Sequence, residues 1–565
     1  MCNYHFIRQF ILSKEAIMKK RLLALAMVVA MIVATLAACS TPGSDSGSGE
    51  GEKVFKYATN TEPTTFDLTK GNSIGDNEIQ HAISEGLTRN TGGNVTPGLA
   101  ESWDISEDGC VYTFHLRDAN WSDGVPIKAQ DFVYSWQRLV DPEVSSPYAW
   151  YLDTIAVKNA AAVNAGEMDP SELGIKAIDD KTLEVTLDYP MTVLLSALGM
   201  QTNLNPLRQD IVEKYGAEFA ATADKNVYSG PFVLTSTENN LYVFEKNPEF
   251  WDADNIKLDR VELNYIEKAD TALAMYENGE LDYVRLDNAV VENYKDRDDY
   301  GIYLNGNVDY CYINPNSENK VWANKNFRLA LNYALNRTEY NQLANAGMYN
   351  PYNALCFPGL SGKDGKTYGE TYDVNSYAYP MDGDVAKAKE YLDAAMKELG
   401  ISDPSQIEIE FVTTDAESNK KIAEVLQEQW QNALGIKVNI RQVTYADIYG
   451  QVYPTFDYEI GYAGWGPDYD DPTTYLNLFR SDVNWYTPYG NPDFDAKLDA
   501  AQKETGDANK RMDLLNEAEQ ILIEDGAWVP LQARNQSYLL SPKMKDVTFY
   551  SFSINIDWAY ADVAE

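Results

Sequence analysis

The sequence predicts an α/β protein with more than one lobe, on three observations. The chain has 565 residues, more than a single hydrophobic core organises, so two or three lobes are expected. Hydrophobic residues make up 44% and charged residues 23%, the balance of a folded globular chain rather than a disordered one. Near the middle of the second half, IEIEFV (407–412) and IKVNIRQV (436–443) read as strands on either side of a long helical pattern. Strand, long helix, strand is the signature of a parallel crossover.

The elements follow in order. VFKYATN opens the body as a strand, and DNEIQHAISEGL reads as a helix. VYTFHLR (111–117) alternates, with Tyr112, Phe114 and Leu116 on one face and Thr113, His115 and Arg117 on the other. KAQDFVYSWQRLV is helical. DVAKAKEYLDAAMKELG has Asp384 as N-cap candidate and Gly400 just past its end, and Val385, Ala388, Leu392, Ala395 and Leu399 share one face. ESNKKIAEVLQEQWQNALG turns Ile422, Val425, Leu426, Trp430 and Ala433 inward and stops at Gly435. No repeat of solenoid type is present.

The N-terminus is a targeting segment. Within MKKRLLALAMVVAMIVATLAACS (18–40), Lys19, Lys20 and Arg21 precede an apolar run over 22–36, and small residues precede Cys39. Leu36-Ala37-Ala38-Cys39 resembles the lipobox of bacterial lipoproteins, which implies a lipid on Cys39 and cleavage before it. Residues 1–38 are therefore expected to be a signal peptide, with Met18 as the expected true start. The apolar run is short for a membrane span. Residues 39–52 then form a lipidated cysteine and a Gly/Ser/acid-rich tether.

Charge narrows the function. The net charge is −40; residues 1–38 carry five cations (Arg8, Lys14, Lys19, Lys20, Arg21) against Glu15, so cleavage leaves −44. A nucleic-acid binder needs a basic footprint, and none exists. Cys110, Cys311 and Cys356 remain beside Cys39, an odd number without CxxC spacing, so neither a disulfide framework nor a zinc site is expected. His81 and His115 are the histidines of the mature chain, and both read as structural. There is no HExxH or GxxxxGK[ST] pattern. No catalytic residue, cofactor or metal is expected.

One stretch stands apart: YAGWGPDYDDPTTYL (462–476), with Asp468, Asp470 and Asp471 beside Gly464-Trp465-Gly466. Asp471-Pro472 reads as a helix start, carboxylate at N-cap and proline at N1. Asp470 favours the positive helix end or faces water. Asp468 reads either as a solvated turn residue or as a holder of positive charge.

Read together, several segments carry a resemblance. AESWDISEDGCVYTFHLRDANWSDGVPIKAQDFVYSWQRLVDPEVSSPYAWYL (100–152) comes first, then SGPFVL, KNPEFWDADNIKLDRVEL, ADTALAMYENGELDY, NKNFRLALNYALNR, GWGPDYDDPTTYLNLF and VPLQARNQSYLL, in that order. The set resembles family 5 extracellular solute-binding proteins, the oligopeptide-binding lipoproteins of ABC importers, and covers essentially the whole mature body.

The resemblance implies a two-lobed periplasmic-binding-protein-like fold (type II, cluster C) with an additional inserted domain. Lobe one is expected at 53–84, 210–308 and 534–565, the inserted domain at 85–209 and lobe two at 309–533. It implies an extended peptide bonded as an added strand, by Asn72-Ser73-Ile74 from lobe one and Gly464-Trp465-Gly466 from lobe two. Backbone pairing reads what all peptides share, and glycines beside Trp465 allow close approach. The family's aspartate for the peptide α-ammonium falls on Asp468, and a tyrosine of that pocket on Tyr148. Two positions depart: Tyr462 stands where some relatives direct an arginine to the ligand's carboxylate, and Gly466 where some carry a cysteine.

The expected partners are an oligopeptide, the transmembrane subunits of an ABC permease, and the membrane through Cys39. The chain is expected to act as a monomer on the outer face of the cell membrane. The alternatives are another solute, such as an oligosaccharide or metal chelate, a secreted hydrolase using Asp468 and Asp470, or a surface sensor.

Overall fold

The computed structural model describes residues 51–71, 73–91, 94–483, 485–551 and 554–564. The signal segment, Cys39 and all but the end of the tether lie outside the described residues.

An 11-stranded mixed sheet runs through the body. Its strands are β1 (Val54–Thr59), β2 (Phe232–Ser236), β3 (Leu241–Lys246), β4 (Arg260–Tyr265), β5 (Tyr283–Arg285), β6 (Tyr300–Ile313), β7 (Glu408–Thr414), β8 (Lys437–Val443), β9 (Ile460–Trp465) and β10 (Trp528–Leu540), joined by the short strand Asn350–Pro351. The order across the sheet is β8-β7-β9-β6-β10-β5-β1-β4-β3-β2. The expected crossover is present: β7 and β8 pair in parallel from Glu408↔Lys437 to Thr414↔Val443, and helix Glu417–Leu434 joins them. Ile422, Leu426 and Trp430 are buried under it, Val425 and Ala433 are half-buried, and Gly435 ends it at φ 74°. That left-handed turn suits glycine, which has no Cβ to clash.

Helix Val385–Leu399 begins as its sequence implies, the Asp384 carboxylate accepting from the Lys387 N–H, and it buries Ala388, Leu392 and Ala395. Val385, in the first turn, is 44% exposed and is not part of that inner face.

A second sheet is antiparallel and four-stranded, with Ala100–Ile105, Val111–Leu116, Thr182–Thr186 and Ile175–Asp179 side by side. Phe114, Leu183 and Val185 of this sheet pack with Trp136 and Leu139 of helix Ala129–Val140, and this core also holds Tyr469 from the far end of the chain. His115 lies on the polar face, its Nε2 2.8 Å from Asp104 Oδ2.

β6 and β10 form the longest antiparallel pair, with a register break between Leu304 and Val308. Gly306 sits in the break at φ +76°. A Cβ there would stand 1.9 Å from the Ser551 carbonyl oxygen and 3.2 Å from Pro467 Cδ. The Tyr475 hydroxyl donates to the Gly306 carbonyl at 2.7 Å, so the break is bonded to the segment that follows Asp468. Cys110, Cys311 and Cys356 are free thiols, and among the described residues no helix is long and apolar enough to cross a membrane.

Candidate functional site

β9 delivers the Gly-Trp-Gly stretch. Along one edge it pairs with β6 from Ile313↔Ile460 to Val308↔Trp465. On its other edge it meets β7 only at Ile460 and Gly461. From Tyr462 to Trp465 that edge has no strand partner among the described residues, and an unpaired edge offers backbone donors and acceptors to an extended chain. The Tyr453 hydroxyl bonds the Tyr462 carbonyl at 2.6 Å.

The glycines serve a purpose the sequence does not disclose. A Cβ on Gly464 would lie 2.7 Å from Asp309 Oδ1, and one on Gly466 3.1 Å from Asn307 Oδ1. Part of the room they leave is therefore filled by the chain's own β6 side chains.

A run of rings leads to Trp465. Tyr445 and Tyr449 are 4.8 Å apart, Tyr449 and Tyr486 5.9 Å, Tyr486 and Trp485 5.2 Å, and Trp485 and Trp465 6.0 Å edge to face. The Trp465 indole Nε1 is buried with no hydrogen-bond partner among the described residues. A buried donor left unpaired costs free energy unless something supplies an acceptor.

Asp468 is held by its backbone. Its N–H donates to Thr474 Oγ1 at 3.0 Å, and its carbonyl accepts from the Tyr151 hydroxyl at 3.2 Å. The carboxyl itself has no cationic partner among the described residues. Burial pushes it up to about 7, against the opposing hydrogen bond of the Thr474 hydroxyl. Tyr148 lies close by: burial and the Asp468 charge raise its hydroxyl, and its ring stacks on Trp150 at 5.7 Å. Asp468 faces a cavity of about 520 Å³ whose walls include Trp150, Tyr189, Met191, Trp465 and Trp485.

The neighbouring acids differ. Asp471 accepts from the Thr473 N–H at 3.0 Å, but the helix Thr473–Leu476 has Pro472, not Asp471, at its N-cap and begins one residue later than the proline-at-N1 reading has it. Asp471 also pairs with Arg511 through two buried bonds, Nη1–Oδ2 at 2.5 Å and Nη2–Oδ1 at 3.0 Å. Burial alone would raise this carboxyl, and the Arg511 charge outweighs it and holds it below the usual range. Asp470 does not face water. It is 6% exposed and accepts from the Ser361 N–H and hydroxyl, both at 2.7 Å.

The first-lobe segment requires a correction. Asn72 lies outside the described residues. Ser73 is the N-cap of helix Ile74–Ile83, in a capping box with Asp76. The Ser73 N–H donates to Asp76 Oδ2 at 3.2 Å and its carbonyl accepts from Asn77 at 3.0 Å. Ser73 and Ile74 are thus a helix start rather than a strand, because Ser-Ile-Gly-Asp satisfies its own backbone groups.

Tyr462 stands beside an arginine that sequence reasoning missed. Arg534 of β10 donates from Nη2 to the Tyr462 hydroxyl at 3.3 Å, and pairs with the buried Asp309 at 2.9 Å. It is 72 residues away in sequence, and no local pattern announces it. Trp485, Tyr189 and Met191 were also missed, because only the fold brings them to one cavity wall. Among the described residues no cluster of three or more His, Cys, Asp or Glu could hold a metal.

Comparison with known proteins adds to this. A family model described as bacterial extracellular solute-binding proteins, family 5 Middle, matches residues 94–487. The oligopeptide-binding protein OppA of Bacillus subtilis (strain 168) is 32% identical over 522 residues, covering 89% of this chain and 93% of that protein. A probable deoxycholate-binding periplasmic protein, YgiS of Escherichia coli (strain K12), is 31% identical over 495 residues, 87% of this chain and 90% of its own. Among solved structures, Listeria monocytogenes OppA bound to peptide superimposes with a TM-score of 0.70 at 31% identity, covering 91% of this chain and all of that one (100%).

Proposed function

The chain belongs to the bacterial extracellular solute-binding proteins, family 5, with their two-lobed α/β fold, and from that premise we propose that it captures extracellular oligopeptides and delivers them to an ABC permease. One observation carries the choice of ligand. Among the described residues the Asp468 carboxyl is half-buried without a cation, beside a strand edge that lacks a partner. A peptide supplies both missing parts. Its α-ammonium answers the carboxylate by a charge-assisted hydrogen bond, and its backbone extends the sheet at Gly464-Trp465-Gly466. A peptide carbonyl also offers the acceptor that Trp465 Nε1 lacks. Tyr148 lines the ammonium pocket.

The lobes that close on the ligand are placed at 53–84 with 210–308 and 534–565, and at 309–533, with 85–209 as the inserted domain. The chain crosses between them at β6 and β10, where the pairing register breaks. Attachment to the outer face of the membrane rests on Cys39 and its Leu-Ala-Ala context. The protein acts as a monomer, without a cofactor and without chemistry of its own.

The name of YgiS marks the other reading, a non-peptide solute. Mass spectrometry of small molecules released from the purified protein under denaturing conditions, together with calorimetry on free and N-acetylated peptides, separates the two. Peptides in the extract and a strong preference for the free amine support the proposal. Equal affinity for acetylated peptides, or a steroid or sugar in the extract, sinks it.

A further inference from the structure

The large apolar side chains that remain exposed are mostly scattered, as they are on any protein surface. Four are not. Trp150 (37% exposed), Tyr189 (40%), Val483 (44%) and Trp485 (40%) all line the one cavity that Asp468 faces. Met191, Leu478 and Leu498 continue its wall. These rings and chains come from distant parts of the sequence, around 150–191 and 465–498. A shared water-facing apolar mouth is unfavourable unless it is covered in the working state.

The charges around the cavity are already matched. Arg480 is bonded to Asp482 at 2.9 Å and to Asp499 at 3.0 Å, and Arg511 to Asp471. Asp468 is the exception, with no cation beside it among the described residues. A ligand that fills the space therefore brings one cation and apolar surface, and finds no unpaired cation for an acidic side chain.

The cavity and the carboxylate share a wall, which fixes what goes where. In a peptide, the first side chain leaves from the carbon that bears the α-ammonium. With the ammonium on Asp468, that side chain has the cavity directly beside it. We infer that this cavity selects peptides whose first residue is large and aromatic or apolar, with Trp, Phe and Leu favoured over Gly and over Glu. The inference rests on the peptide-binding reading above. The volume of about 520 Å³ exceeds what one ring needs and falls within the range of ligand pockets, so the largest side chains enter without strain. The rings of Trp485 and Trp150 in its wall allow the offset or edge-to-face contacts that aromatic rings prefer.

The experiment is a calorimetric series of pentapeptides X-Ala-Ala-Ala-Ala with X as Gly, Glu, Leu, Phe or Trp, each with a free and an acetylated N-terminus. Burial of a large apolar side chain predicts that Trp and Phe peptides bind roughly ten- to a hundredfold more tightly than the Gly peptide. Val483→Ser combined with Trp485→Ala is expected to reduce that ratio severalfold, with circular dichroism reporting the fold of the variant. If the variant does not fold, the wild-type series decides alone. A flat series, or one led by Gly or Glu, that still loses affinity on acetylation overturns the pocket assignment and leaves peptide capture standing. A series in which no peptide binds overturns both.

Discussion

Asp471 and Arg511 form a buried two-pronged ion pair at 2.5 and 3.0 Å, whereas Asp468, three positions earlier, is half-buried with no cation beside it among the described residues. The same stretch thus holds one carboxylate whose charge is satisfied within the fold and one whose charge is not. The first is a fixture of the protein. The second is the carboxylate proposed above to receive a ligand charge.

Asp468→Asn is expected to weaken binding of free-amino peptides by at least about a hundredfold, since it leaves a buried ammonium without its partner, at roughly 3–5 kcal/mol. N-acetylation of the peptide should weaken wild-type binding to a similar degree. Combined, the two losses should not add, because each removes the same contact. Calorimetry on the four combinations reads this directly, and full additivity would show that the ammonium sits elsewhere.

The carboxyl at about 7 gives binding a pH dependence. Below that pH the free site holds a proton, which an incoming ammonium must displace. Affinity therefore falls on acidification below about 7, approaching tenfold per unit. Above about 8 the peptide's own α-amine, with an ordinary pKa near 7.7–8.0, loses its charge. Affinity should peak between the two values, and heats measured at pH 6 in buffers of different ionisation enthalpy should show proton release. The ligand-free protein has the opposite trend. A carboxyl raised above its unfolded value binds the extra proton in the folded state, so this group's stabilising contribution is present at about pH 4 and lost as pH rises toward 7. Asp468→Asn should flatten that slope in denaturant midpoints measured across the range.

Asp470 and Arg511 should matter to stability. Asp470→Ala strands the Ser361 N–H and hydroxyl, a loss of about 1–3 kcal/mol. Arg511→Met leaves the Asp471 carboxylate buried and unpaired, at roughly 3–5 kcal/mol. Urea unfolding checks both. An Asp470→Ala protein as stable as wild type would show that the Ser361 contacts carry no weight.

Gly306→Ala should destabilise by more than about 1 kcal/mol, because φ is +76° and the new methyl would meet the Ser551 carbonyl at 1.9 Å. Pro467 lies on the same side at 3.2 Å, so the repacking reaches the residue before Asp468. Peptide affinity should fall together with the urea midpoint. A stable variant with unchanged affinity would show that the register break tolerates a side chain.

What was legible in the sequence was what is local. The β7–helix–β8 crossover, the Asp384 cap and the Gly400 and Gly435 stops all express periods and caps spanning a few residues. What was not legible depends on partners far along the chain. Asp470 meets Ser361 at a separation of 109 residues, Asp471 meets Arg511 at 40, and Arg534 reaches Asp309 at 225. No window of sequence contains both members of such a pair. Ser73 is the instructive miss: Ser-Ile-Gly-Asp was readable as a capping box, yet the resemblance placed a strand there.

Tyr469, between these acids, is 2% exposed and seated in the core of the segment that carries the four-stranded sheet. If the proposed lobes move, the ring would act as a latch. Any swing that parts the β9 edge from that segment must first draw an aromatic out of its socket into water, at about 1.5–3 kcal/mol. For such a motion this residue alone would tilt the populations roughly ten- to a hundredfold toward the seated arrangement. Asp468 and Tyr469 are neighbours on the chain, so on the peptide-binding proposal release of a ligand held on the carboxylate would be coupled to unseating the tyrosine.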